Sequence, residues 1–284
     1  DSYACRKNKG THRAVMRLQS FLKKVSQNGK VKAYYLQLDI KDFFSSIDKK
    51  ILFNLIKKKV KDKDILWLAE KIIFWDYTTA FVLRDKEAVI KRIPPNKSIF
   101  DKDNKKGLPI GNLTSQFFAN VYLNELDQFV KRILKVKYYI RYVDDFILLS
   151  DKKEKLANWI EKIEDFLKMR LSLKLHPRRR KLRSVSNGVD FLGYLVRRNY
   201  ILARKRVINN MKAKLRHFAR LITSCSSVKK LNPIAVWEDL RSSIQSYLGH
   251  LRWANSYNLV KKLTTHKVIS PYFEIRNYRL VPKY

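Results

Sequence analysis

Apolar and polar residues exchange places along this chain at two different periods. Tyr34, Leu36, Leu38 and Ile40 alternate with Tyr35, Gln37 and Asp39, the period-two pattern of a strand ending at Asp39. From Asp48 to Val60 the apolar residues are Ile51, Leu52, Leu55, Ile56 and Val60, a helical spacing with Ser46 or Asp48 as its cap. Leu113, Phe117, Val121, Leu126, Val130 and Ile133 predict a long amphipathic helix. Residues 138–150 form two short apolar runs around Asp144-Asp145, a hairpin pattern. Leu156, Trp159, Ile160, Ile163, Phe166 and Leu167 predict another helix. Leu171, Leu173 and Leu175 then suggest a strand, and residues 189–196 a strand pair punctuated by Gly188 and Gly193. Residues 84–106 are charged and carry Pro94, Pro95 and Asn96, so they read as a loop or small hairpin. Two more helices follow, on Val207, Met211, Leu215, Phe218 and Ile222, and on Val236, Leu240, Ile244, Leu248 and Leu251. Interleaved strands and helices predict an α/β or α+β protein with a helical C-terminal part.

Charge narrows the function. Sixty-two Lys and Arg against 25 Asp and Glu leave +37 over 284 residues, an excess that calls for a polyanionic partner. An acidic membrane fits poorly, because no apolar run approaches the roughly 20 residues of a spanning helix. Asp1 to Gly10 is polar and unlike a signal peptide, so nucleic acid is the expected partner. Residues 197–284 hold nineteen Lys and Arg and only three acids, Glu238, Asp239 and Glu274. Cys5 and Cys225 are far apart and lack zinc-ligand companions, which predicts a reducing, cytoplasmic setting.

Against that basic background the acidic residues stand out. Asp39 closes a strand within Leu38-Asp39-Ile40-Lys41-Asp42-Phe43-Phe44, and Tyr142-Val143-Asp144-Asp145 sits at a hairpin tip. A lone Asp is most simply a turn or cap residue. Two adjacent Asp between apolar runs, with a third ending another strand, fit a site for hard divalent cations better. Two such ions can activate a 3′-hydroxyl and neutralise a leaving pyrophosphate.

These two segments resemble the catalytic palm of reverse transcriptases. Between them, residues 107–120 read Gly-Leu-Pro-Ile-Gly-Asn-Leu-Thr-Ser-Gln-Phe-Phe-Ala-Asn. Most group II intron and retroviral relatives carry Pro-Gln-Gly there, with Gln at the place of Ile110. The form in this chain is similar to that of diversity-generating retroelements, as are Gly-Thr-His at 10–12, Gly-Val-Asp-Phe-Leu-Gly-Tyr at 188–194 and Ser-Tyr-Leu-Gly-His at 246–250. These blocks, in this order, carry far more weight than a single Tyr-Val-Asp-Asp.

The resemblance implies an α+β right-hand polymerase: partial fingers at 1–30, a palm at 31–199 with a finger-like insertion around 77–107, and a basic helical thumb at 200–284. It implies that further finger strands precede residue 1. Asp39 and Asp144, with the Ile40 carbonyl, match ligands of two Mg2+ ions, and Asp145 the accessory carboxylate. Phe44 matches the ring that excludes a ribose 2′-hydroxyl, although either Phe43 or Phe44 must be core. Ile110 matches the position touching the incoming dNTP, where losing a hydrogen-bonding Gln relaxes discrimination, notably opposite template adenines; packing at a helix start is the competing reading. Gly111 would let backbone approach the nucleotide. Gln116 and Asn120 would orient the template base or be solvated, and Arg179 is the nearest match to a lysine beside the pyrophosphate. Phe191, Leu192, Gly193 and Tyr194 would grip the primer end, or form a plain buried strand pair. Lys205, Arg206, Lys212, Lys214 and Arg216 would meet the phosphates of an RNA–DNA duplex.

The implied function is RNA-directed DNA synthesis from a template-repeat RNA, in a prokaryote or phage, with a small basic accessory protein. A group II intron or retron polymerase is the alternative within the enzyme class. A catalytically silent RNA-binding module is the alternative outside it.

Overall fold

Strand β1 (Tyr34–Asp39) is buried on both faces, Leu36 and Leu38 on one and Tyr35 and Gln37 on the other, so it must run inside a sheet. The computed structural model, which describes residues 1–76, 105–225 and 233–283, places it third in a four-stranded antiparallel sheet. The order is β2 (Tyr138–Tyr142), β3 (Asp145–Ser150), β1 and β4 (Lys181–Ser184). Register pairs Leu36 with Leu148 and Leu38 with Phe146, which puts these four on one face. That face joins a core with α2 (Phe43–Ser46), α3 (Lys49–Lys57), α4 (Lys63–Phe74), α5 (Leu113–Gln128) and α6 (Lys153–Leu171). The opposite face is covered by α1 (Thr11–Val25), whose Ala14, Val15, Leu18, Phe21 and Leu22 are buried and whose Phe21 ring lies 5.5 Å from that of Tyr138. Each fully buried Leu or Phe contributes about 1.5–3 kcal/mol by leaving water.

Local chemistry sets the element ends. Asp48 caps α3, accepting from the Lys50 and Ile51 amides, and Asp62 caps α4 through the Ile65 amide. The apolar stripe expected to run as one helix over 113–133 is α-helical only to Gln128. Residues 129–133 widen to a π turn closed by the Leu134 amide on the Phe129 carbonyl, beside a stacked Phe129–Phe166 pair at 4.2 Å. The strand expected on Leu171, Leu173 and Leu175 does not form. Leu171 ends α6, and only Leu175 bridges the main sheet, opposite Ile40. The three share one core, which is why their spacing imitated a strand. The loop expected at 84–106 and the insertion around 77–107 lie almost wholly outside the described residues.

The chain divides into two compact units, Asp1–Val185 and Ser186–Tyr284. The second holds a three-stranded sheet of β5 (Val189–Phe191), β6 (Tyr194–Val196) and β7 (Ile201–Ala203). With it come α7 (Lys205–Cys225), α8 (Pro233–Leu251), α9 (Tyr257–Thr264) and a hairpin of β8 (Phe273–Arg276) and β9 (Arg279–Pro282). Met211, Leu215, Phe218, Leu240, Ile244 and Leu248 build its core. Gln245 on α8 clasps the β8–β9 turn, donating to the Tyr278 carbonyl at 3.1 Å and accepting from the Leu280 amide at 2.9 Å. The division falls before the β5–β6 hairpin rather than after residue 199. The reason is local: Tyr194 stacks on His250 of α8 at 4.1 Å and donates its hydroxyl to the His250 carbonyl at 2.9 Å.

Candidate active site at the β1 and β3 strand ends

Antiparallel register does the first part of the assembly. Asp39 ends β1 directly opposite Asp145, which begins β3, so both lie on the α1 side of the sheet with Gln37 two residues back. Asp144 occupies the two-residue turn between Tyr142 and Asp145. The preceding turn residue, Val143, has φ +54, a left-handed conformation that costs a β-branched residue about 1–3 kcal/mol.

What holds that turn comes from the other face of the sheet. Arg141, 1 % exposed, donates to the Val143 carbonyl at 2.9 Å. Its other nitrogens grip Asp127 on α5 in a fork, at 2.7 Å and 2.5 Å, and Tyr139 adds its hydroxyl to the same carboxylate at 2.8 Å. Burial pushes the Tyr139 phenol well above its ordinary range, so it stays a donor to Asp127. The hairpin tip is thereby tied to a buried ion pair rather than to turn chemistry.

The carboxylates are electrostatically crowded. Burial, then Asp39, raises Asp144 to about 6. Burial again leads for Asp145, raised to about 7 despite two 3.1 Å hydrogen bonds donated by the Gln37 amide, with Asp39 and Asp144 adding repulsion. Arg179 supplies the cation, donating to Asp39 at 3.0 Å, and its own pKa rises through that bond. The neighbouring Arg180 is instead held by Glu164 on α6. Among the described residues no three acidic, His or Cys side chains converge on one point, because Asp39 turns to Arg179 and Asp145 to Gln37. The donor chemistry nonetheless fits a hard divalent cation: three neighbouring carboxylates, two of which resist ionising because they are buried beside other acids.

The remaining expected residues separate. Phe43 is the core member of its pair, while Phe44 is half-buried with its ring 5.4 Å away in a tilted pair. The Ile40 side chain is buried. Ile110 is 82 % exposed, so it does not pack at the start of α5, and Gly111 takes φ +107, open to glycine. Gln116 accepts from the Cys5 thiol at 3.1 Å and Asn120 donates to the Ala4 carbonyl at 3.0 Å, so both anchor the N-terminal segment. Phe191, Leu192, Gly193 and Tyr194 form a two-residue hairpin in the second unit, and Phe191 and Tyr194 are buried. Leu192 and Gly193 both have positive φ, and a Cβ on Gly193 would stand 3.0 Å from the His250 ring. Lys205, Arg206, Lys212, Lys214 and Arg216 are all exposed on α7, away from buried Met211, Leu215 and Phe218.

Sequence reasoning missed Gln37, Asp127, Arg141 and the part played by His250. For Gln37 a signal existed, since a period-two strand puts it on the face of Asp39. Nothing in the spacing of Asp127 and Arg141 announced their pairing.

Residues 1–196 match the family model described as reverse transcriptase (RNA-dependent DNA polymerase). Among curated proteins, the chain is 26% identical over 153 residues to the group II intron-encoded protein LtrA of Lactococcus lactis, covering 52% of this chain and 22% of that protein. It is 20% identical over 268 residues to the putative COX1/OXI3 intron 2 protein of Saccharomyces cerevisiae, covering 70% and 28%. The chain thus spans about a quarter of the length of these relatives. Among solved structures, apo telomerase from Candida tropicalis superposes with a TM-score of 0.51 at 15% identity, over 84% of this chain and 40% of that one, which shows a shared right-hand polymerase fold. No helix of the described residues is long and apolar enough to cross a membrane.

Proposed function

The chain belongs to the reverse transcriptase (RNA-dependent DNA polymerase) family, and on that premise we propose that it extends a primer along an RNA template, building DNA. The observation that carries the reading is the placement of Asp39, Asp144 and Asp145 at two adjoining strand ends, with two of the three raised to about 6 and 7.

In this proposal Asp39, Asp144 and the Ile40 carbonyl hold two magnesium ions, with Asp145 as accessory carboxylate. When bound, the ions supply charge neutralisation at the reacting phosphate and a more acidic primer hydroxyl. The chain's own residues do the rest. Gln37 orients the Asp145 carboxylate, and Arg141 fixes the turn that presents Asp144. Arg179 brings a mobile positive charge to the carboxylates, where pyrophosphate departs. Phe44, backed by Phe43, screens the sugar 2′ position. Residues 1–185 serve as palm and partial fingers, and the second unit as thumb, with the cations of α7 on duplex phosphates and the Phe191–Tyr194 hairpin at the primer end.

Ile110 favours the diversity-generating subtype. Exposed and apolar, it offers no hydrogen bond to a nascent base pair, so the chain would copy a template-repeat RNA into cDNA mutated opposite adenines, assisted by a small basic protein. The intron-encoded relatives favour the alternative, a group II intron-type polymerase. Primer extension on RNA, with sequencing of the products, separates them. Error-rich cDNA that becomes accurate in Ile110→Gln supports the first; accurate cDNA from the unchanged protein supports the second. Asp144→Ala should abolish extension while leaving RNA binding nearly intact. Extension surviving in that variant would overturn the metal assignment, whereas RNA binding without extension by the unchanged protein would favour the binding-module reading.

A further inference from the structure

Gly10, Thr11 and His12 lie far in sequence from Asp144 and Asp145, yet the fold brings this block to the end of β2. Residues 1–3 run along the free edge of that strand. The Arg141 amide donates to the Asp1 carbonyl at 3.0 Å, and the Tyr3 amide to the Arg141 carbonyl at 2.9 Å. The chain then leaves the sheet and returns at Gly10, whose amide donates to the Tyr3 carbonyl at 2.8 Å. Gln116 and Asn120 fasten the excursion between them, through Cys5 and Ala4. Gly10 takes φ +107, a conformation that suits glycine, and turns the chain into α1 at Thr11. The Thr11 hydroxyl thereby stands 3.1 Å from the Tyr142 hydroxyl, a hydrogen bond across 131 positions.

Tyr142 sits where a small displacement matters. It ends β2 directly opposite Asp145, so its ring and that carboxylate share the α1 side of the sheet. Tyr142 is half-buried, so packing restrains its ring less than that of Tyr139, which is fully buried. Helix α1 has little need of the bond for its own docking, because it already buries Ala14, Val15, Leu18, Phe21, Leu22 and Val25. What the bond adds is a fixed end for the Tyr142 side chain. An internal hydrogen bond of this kind favours the bonded arrangement by a factor of roughly two to ten.

We propose that Thr11 is a positioning residue for primer extension, its hydroxyl holding the Tyr142 ring beside Asp145 so that the wall of the site keeps one shape. The inference rests on the reading of Asp39, Asp144 and Asp145 as the reacting centre. Thr11 acts through Tyr142 and takes no part in the chemistry. A ring released from it would let the reacting groups wander from alignment, a loss that falls on turnover rather than on nucleotide affinity.

The test is single-nucleotide primer extension by the full chain with magnesium, resolved into kcat and KM, beside thermal melting. Thr11→Val, which keeps the shape and removes the hydroxyl, should lower kcat about fivefold while KM for the nucleotide stays within about twofold. Tyr142→Phe should do the same, and the double variant should fall no further than either single one. Thr11→Ser should recover most of the loss. A hydroxyl of purely structural importance would lower the melting temperature and leave kcat of the folded protein unchanged, which would overturn the proposal. So would losses that multiply in the double variant, to about 25-fold, because independent sites add in free energy. Fluorotyrosine placed at position 142 gives a readout without catalysis. Its fluorine resonance should shift in Thr11→Val and return in Thr11→Ser, and an unmoved resonance would also sink the proposal. Failure of the unchanged chain to extend any primer would instead overturn the polymerase reading, and this inference with it.

Discussion

Two tight hairpins carry expected functional residues in this protein, and opposite means hold them. The Tyr142–Asp145 turn puts Val143 at φ +54, and the Phe191–Tyr194 turn puts Leu192 and Gly193 at φ +52 and +87. The first contains no glycine and borrows a donor from buried Arg141, itself neutralised by Asp127. The second uses glycine in the ordinary way and is wedged against His250, with the Arg204 amide on the Gly193 carbonyl at 2.9 Å. One is fixed by a charge behind its sheet and the other by steric fit against a helix of its own unit. A strained turn over-determined by its surroundings belongs where a side chain must be aimed, and Asp144 is that side chain.

The largest expected effect breaks the first hairpin. Arg141→Met leaves the half-buried Asp127 carboxylate with the Tyr139 hydroxyl but without its cation, and should cost about 2–3 kcal/mol in urea unfolding of the first unit. Replacing both, with Asp127→Leu added, should recover much of that stability yet leave primer extension lost, because the Val143 carbonyl has no donor. Extension surviving in the double variant would show that the turn does not need the charge. Next comes Gly193→Ala, where φ +87 and a 3.0 Å approach to His250 should cost about 1–2 kcal/mol, measured by thermal melting of the second unit. Adding His250→Ala should recover the steric share only.

Acidity offers a subtler test of the first region. Asp144 and Asp145 have ordinary values near 3.8 when unfolded and are raised to about 6 and 7 when folded. Between those values the native state binds more protons than the unfolded state, so this contribution to stability falls as pH rises from about 4 through 7. The metal-free protein should melt lower at pH 8 than at pH 5, and Asp145→Asn should flatten that slope. Divalent cation should stabilise the unchanged protein more at the higher pH. The smallest effect belongs to Leu192→Asn, which suits a left-handed residue ahead of Gly193 and should stabilise by about 0.5 kcal/mol. The same exchange at Val143 should bring no such gain, since its side chain packs on the core.

The contrast also explains what could be read from sequence. Glycine announced the second hairpin, a period-two run announced β1, and two short apolar runs around Asp144-Asp145 announced β2 and β3. The helix on Ile51–Val60 was legible because Asp48 caps it locally. Leu171, Leu173 and Leu175 misled because a helix end and an extended tail both point into one core. Asp39, Asp144 and Asp145 were visible as acids in a basic chain. The supports behind them were not, since Gln37 on Asp145 and Asp127 on Arg141 are tertiary pairings with no mark in local spacing. Arg179 stood within a charged run, and only the fold distinguishes it from Arg180, which pairs with Glu164.

The pairing of Asp127 with Arg141 also shapes how this protein can drift. Asp127 is the harder of the two to replace, because its loss strands the fully buried Arg141 charge behind the sheet. The two should therefore change together across descendants, with Tyr139 following, although fourteen positions separate them. In a library of random variants, single replacements at 127 and 141 should be depleted well beyond what their distance from the reacting atoms suggests.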